Sequence, residues 1–168
     1  MTSLPNLLRA ASKLKYEHAD GEYIDFYPEP EFEAPEETRR WFMAWTGNPI
    51  ADYSPFLVFG GDGTGGRAAV WRVDGEKPIE DQPIVFFGSE GELGVVAANS
   101  RAYIRLLAGG IGPYEAIAYE GLQRPVHESF AKLASDNGID LSSDLWEVVR
   151  SAQAAFPNFE AHIRALCS

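Results

Sequence analysis

The densest group of residues with chemical potential is the run Gly60-Gly61-Asp62-Gly63-Thr64-Gly65-Gly66. Within it, Gly61-x-Gly63-x-x-Gly66 has the spacing of a dinucleotide-binding loop. That chemistry needs the glycines to open a helix, because the free amides of a helix N-terminus are what hold phosphate. The residues that follow, Arg67-Ala68-Ala69-Val70-Trp71-Arg72-Val73, read as a strand. An acidic ribose partner about twenty residues on, inside a βαβ unit, is missing too, since Glu80 and Asp81 lie in a proline-flanked loop. The run therefore reads as a turn in which glycine permits positive φ and Asp62 caps the backbone. No cofactor is expected.

Other reactive side chains form no constellation. His18, His127 and His162 stand apart, and His127-Glu128 lacks the second histidine of a zinc-binding helix. Phe87 stands where a nucleophile elbow around Ser89 would need its first glycine. The single cysteine, Cys167, permits no internal disulfide and no multi-cysteine metal site. No pair of carboxylates is set in apolar surroundings that would split their pKa values. Catalytic residues and metal ligands are both expected to be absent, and the chain is not expected to be an enzyme.

Charge is the property that is unevenly placed. The chain has 168 residues, with 25 Asp and Glu against 14 Lys and Arg, a net charge of −11. This disfavours nucleic acid and anionic membranes, both of which select Lys and Arg. Nine of the acids fall between Glu17 and Glu37 with no Lys or Arg among them, leaving 16 acids against 14 bases elsewhere. Tyr23, Phe26, Tyr27 and Phe32 are interleaved with them. Aromatics beside charges are what an interface core meeting its polar rim contains, and an acidic face attracts and steers a basic partner. A solvated face, with Glu36 and Glu37 as helix-dipole acids, is the plainer reading. The candidate partner-binding residues are Glu29, Glu31, Glu33, Glu36 and Glu37. Asp62, Glu90 and Glu92, on two hairpin loops, are second choices.

The elements that must position these residues follow from periodicity. Leu4, Leu7, Leu8, Ala11 and Leu14 give a helix over 2–15. Tyr23 to Tyr27 is a short strand stopped by Pro28 and Pro30, and Pro35 to Thr46 is a helix closed by Gly47. Trp41, Phe42 and Trp45 on that helix read as core, with Trp71 packed beneath or beside it. Phe56–Phe59 and Arg67–Val73 form one hairpin, and Ile84–Phe87 and Leu93–Ala97 another, a meander of about four strands. Close spacing favours antiparallel pairing, with a mixed sheet left open. Helical periodicity returns at 99–109 and 113–119, then in a tail at about 125–166. The expectation is one α+β domain over 1–168. Without a charged-then-apolar leader at 1–20 or an apolar run of about 18 residues, a soluble cytoplasmic protein is expected.

Four segments recur in the order and spacing of a known family: WTGN (Trp45–Asn48), FLVFGGDGTGGRAAVW (Phe56–Trp71), QPIVFFGSEGELGVVAAN (Gln82–Asn99) and LLAGGIGPYEA (Leu106–Ala116). Together they resemble the SUKH superfamily, in its Smi/Knr-like branch, over residues 36–120 or about half the chain. The resemblance implies a non-enzymatic α+β domain that binds proteins. Many bacterial members are immunity proteins that neutralise toxin domains of contact-dependent or secreted polymorphic toxin systems, often nucleases; fungal relatives regulate cell-wall synthesis and signalling. The family has no catalytic residues to carry over. Its shared tryptophans and glycines are similar to Trp45, Gly47, Gly63, Gly65, Gly66, Trp71, Gly88 and Gly91, which the resemblance implies are architectural. Toxin-contacting residues vary among members, so none transfers. The function expected is an immunity-type protein that occludes a basic toxin domain. The alternatives are an intracellular regulatory or scaffolding module without a toxin, and a nucleotide-dependent enzyme using Gly60–Gly66.

Overall fold

Helix α2, Pro35–Thr46, forms for local reasons. Pro35 supplies a preset φ at its first turn, Glu36 and Glu37 face the positive end of its dipole, and Gly47 closes it at φ 66°. A computed structural model describes residues 2–17 and 25–168. Strands β2 (Phe56–Asp62) and β3 (Arg67–Trp71) form the first hairpin, and β4 (Ile84–Phe87) and β5 (Leu93–Ala97) the second. A fifth strand, β1 (Phe26–Pro28), joins the edge, giving the order β1-β2-β3-β4-β5. Every strand pairing among the described residues is antiparallel, so the mixed alternative does not arise there. Pro28 ends β1 instead of stopping short of it, a position where an edge strand tolerates the missing N–H. Tyr23 and Ile24 of the expected strand lie outside the described residues.

Helix α1 spans only Asn6–Ala11, shorter than the periodicity over 2–15 predicts. The chain beyond it is drawn to the sheet edge, where the Phe26 amide donates to the Tyr16 carbonyl at 3.3 Å. After β5 come α3 (Ser100–Ala108), α4 (Pro113–Ala118), α5 (Glu128–Asp136), α6 (Leu145–Ala155) and α7 (Phe159–Leu166). Asn99 starts α3 by accepting the Ala102 amide on its side chain at 2.8 Å. No helix among the described residues is long and apolar enough to cross a membrane.

Period-two alternation splits the sheet between two cores. Ala68, Val70, Ile84, Phe86 and Val96 face one cluster with Leu8, Phe59, Tyr103, Leu106 and Phe130. Ala69, Val85, Phe87 and Val95 face the other, with Phe42, Phe56, Phe159 and Ile163. Helix α6 runs beside β5 and contributes to both, Trp146 and Val149 on one side and Ala152 on the other. The result is an α+β domain of three layers. Burial of both faces is why Ile84-Val85-Phe86-Phe87 is continuously apolar instead of alternating with polar residues.

Phe87 is the centre of the second core. The rings of Trp41, Phe42, Trp45, Phe56 and Phe159 lie 5.2–6.1 Å from it. Trp71 packs against the same core as Trp41, Phe42 and Trp45 of α2. Its ring lies 5.4 and 4.8 Å from those of Phe156, at the end of α6, and Phe159, the first residue of α7. The WTGN segment ties distant parts together. The Trp45 indole N–H donates to the Gly88 carbonyl at 2.8 Å, and Asn48 Nδ2 donates to the Leu166 carbonyl at 2.8 Å.

Candidate functional site

Between β1 and α2 the chain is pinned along β2. The Glu29 amide donates to the Phe59 carbonyl at 2.7 Å and the Glu33 amide to the Val58 carbonyl at 2.8 Å. Pro28 and Pro30 bias their predecessors to extended backbone, which keeps the segment from coiling. It presents its carboxylates unequally. Glu29 and Glu31 are exposed, whereas the Glu33 side chain is only 11% exposed. Glu33 Oε1 lies 3.0 Å from Arg67 Nη1, and its other oxygen accepts the Thr38 hydroxyl at 2.9 Å. One carboxylate thus fastens the segment to β3 and to α2.

Glu29, Glu31, Glu33 and Glu37 line a single cavity of about 360 Å³, with Phe32, Val58 and Arg67. Of these four acids, Glu33 contacts the Arg67 guanidinium. Glu36 is not part of it: on the outside of α2 it pairs with Arg39 at 3.2 Å. The hydrogen bond from Arg39 holds the Glu36 carboxyl below its usual pKa and Arg39's own above. A larger cavity of about 710 Å³ adjoins the acidic one and shares Pro30, Glu31 and Phe32 with it.

The second-choice acids lie elsewhere. Asp62 Oδ1 accepts the amides of Thr64 and Gly66 at 2.9 and 2.8 Å and the Thr64 hydroxyl at 2.7 Å, so that oxygen serves its own turn. The glycine run therefore links two strands, and no helix N-terminus follows it. Gly65 sits at φ 98° and Gly91, in the other loop, at φ 94°. Gly63 has open space around it, while Gly66 and Gly88 are closely approached, the first by Asp62 and Phe86, the second by Glu92. The Ser89 hydroxyl donates to the Thr64 hydroxyl at 3.2 Å and joins the two loops side by side. Glu90 is exposed, and the Glu92 carboxylate is turned back to accept the Glu90 amide at 3.2 Å.

Buried polar groups lie on the opposite side of the sheet from α2. Burial raises the pKa of the Tyr16 and Tyr103 hydroxyls and lowers that of His127, which stacks on Tyr16 at 5.3 Å. Arg105 donates to the Leu141 and Ser143 carbonyls at 2.9 and 2.7 Å and holds the loop between α5 and α6. None of these groups opens into either cavity. Among the described residues no group of three or more His, Cys, Asp or Glu is placed to hold a metal ion.

Sequence reasoning missed Arg67, Leu4, Arg9 and Lys13 as parts of the two cavities. Arg67 follows the glycine run directly, but only strand register shows that it reaches Glu33. No family model matches the chain, and neither curated proteins nor solved structures provide a match.

Proposed function

We propose that this protein is an immunity-type binding module that acts in the cytoplasm and neutralises a cognate bacterial toxin by occluding it. The observation that carries this reading is the acidic cavity, in which Glu29 and Glu31, on a segment fastened by the Glu33–Arg67–Thr38 contacts, and Glu37, in the first turn of α2, are exposed. The four SUKH-like segments support it independently, on the order of their motifs. A toxin that must hold phosphates, as a nuclease does, carries a basic groove. An acidic, preformed face competes for those cations and is steered to them over a distance.

The test is association with a toxin recovered by pull-down from the native cell, measured by stopped-flow across salt. Reversing Glu29, Glu31 and Glu37 to lysine swings the face by about six charge units. At about 10 Å in water each unit is worth about 0.4 kcal/mol against one partner charge. Screening leaves a total of about 1.8 kcal/mol at 0.01 M salt and about 0.7 kcal/mol at 0.15 M. Association should slow about 20-fold in the first case and about 3-fold in the second. Equal rates for the two proteins at low salt would remove the electrostatic claim.

A further inference from the structure

Pro30, Glu31 and Phe32 form a saddle between the acidic cavity and its larger neighbour, so the two make one trough. The far wall of the larger part is the start of the chain and α1, with Leu4, Arg9 and Lys13. Leu8 and Ala11 are buried beneath it, so this wall is preformed. Arg9 donates to the Leu4 carbonyl at 3.1 Å, which fixes its position on the wall. The apolar surface common to the two parts is the half-buried Phe32, and Leu4 on the far wall is almost wholly buried. Exposed carboxylates of Glu29 and Glu37 line one part, exposed cations of Arg9 and Lys13 line the other, and the exposed Glu31 is shared by both. Arg67, in the acidic part, is already paired with Glu33.

We infer that this trough seats a segment of the partner protein that carries a basic, an apolar and an acidic side chain in that order. The apolar side chain lies on Phe32, a Lys or Arg lies over Glu29 and Glu37 and within reach of Glu31, and an Asp or Glu lies over Arg9 and Lys13. Charge complementarity selects this occupant. A uniformly basic segment would be repelled at Arg9 and Lys13, and a wholly apolar one would cover charges at both ends without pairing them. The volume of the larger part, about 710 Å³, falls in the range of pockets that bury a bound group. The inference rests on the toxin-binding reading for the nature of the partner, and adds where and by what pattern it is gripped.

The test is selection of a displayed random-peptide library against the full chain, followed by fluorescence anisotropy and amide-shift mapping with the enriched peptides. Enriched peptides should share the basic–apolar–acidic order and shift the amides of Leu4 and Phe32. Glu31→Lys and Lys13→Glu, both at exposed positions, should each weaken binding at least about tenfold. No enrichment, a different pattern, or shifts confined to another face would overturn the inference. A toxin that binds with steep salt dependence while leaving Leu4 and Phe32 unperturbed would also overturn it, yet leave the toxin-binding reading standing. Peptides that bind as described when no toxin can be recovered would do the reverse.

Discussion

Alanine substitutions along the glycine run separate a structural turn from a phosphate cradle. At Gly66 a Cβ would stand 2.6 Å from Asp62 Oδ2 and 2.6 Å from Phe86 Cζ. Neither neighbour yields easily: Phe86 is fully buried, and Asp62 is held by three donors on its other oxygen. Overpacking of this kind costs about 1–3 kcal/mol. For a domain of this size that lowers Tm by about 2–12 °C. At Gly63 nothing lies within 4 Å of the added Cβ and φ is not positive. Alanine there is expected to be neutral, or stabilising by about 0.4–1 kcal/mol through reduced freedom of the unfolded chain. Calorimetric and guanidinium melts of Gly66→Ala and Gly63→Ala check the ordering. A phosphate cradle would instead need both backbones open to ligand. ATP or NAD at a hundred times its Kd would then stabilise the native protein by about 2.7 kcal/mol, and the substitutions would abolish that gain. Equal destabilisation by the two alanines, or a nucleotide-dependent rise in Tm, would refute the turn.

Glu33→Gln should cost about 1–3 kcal/mol in urea unfolding, because it leaves the Arg67 guanidinium and the Thr38 hydroxyl without their carboxylate. Combined with Arg67→Gln the effects should fall short of additive by at least about 0.5 kcal/mol, while Glu31→Gln should stay within about 0.5 kcal/mol of the native protein. Trp45→Phe removes the indole donor from the buried Gly88 carbonyl, and is expected to lower stability by about 1–3 kcal/mol without changing the denaturant m-value. For His127, burial favours the neutral ring, so its native pKa lies below the unfolded value of about 6.5. The unfolded chain then takes up more protons as pH falls through about 6.5, and stability declines until the native ring also titrates. His127→Gln should flatten that slope in urea midpoints measured from about pH 7.5 downward; an unchanged slope would contradict the assignment.

Elements specified by neighbouring residues were legible in the sequence. Pro35, the first-turn acids and Gly47 bound α2 where the structure has it, and the glycine-centred turns located both hairpins. Elements decided by distant pairing were not. Leu14 continues the period of α1, yet its helix ends at Ala11 because Tyr16 pairs with Phe26. Trp71 meets Phe156 edge-on and Phe159 at a tilt because the turn between α6 and α7 returns over the end of β3, which no local pattern announces. The candidate site divides in the same way. The acidic run was visible as composition, and the Glu36–Arg39 pair follows from helical spacing. The Glu33–Arg67 pair depends on the path of the chain along β2 and on strand register.

The architecture restricts where a partner can be bound. Both faces of the sheet are covered, α6 lies beside β5, and β1 is short, ends in a proline and meets Tyr16 on its outer side. Such an edge offers little to strand addition. On the proposed reading, recognition falls to side chains outside the sheet, among them the 29–34 segment, the start of α2 and the hairpin loops. Of the acids there, Glu33 and Glu36 are paired with arginines, Asp62 serves its own turn, and Glu92 accepts a backbone amide. Glu29, Glu31 and Glu37 are exposed in one cavity whose fourth acid, Glu33, is paired with Arg67, so the net charge of that cavity is carried by these three. Charge reversal at Glu36 should accordingly change toxin association less than reversal at Glu31, although the two carry the same formal charge. Arg39 is released when Glu36 is lost and adds to the change of local field, so this comparison is made at about 0.15 M salt, where the Debye length of about 8 Å confines each effect to its own surroundings. If the two reversals slow association equally, the cavity has no special role and bulk acidity alone governs the encounter.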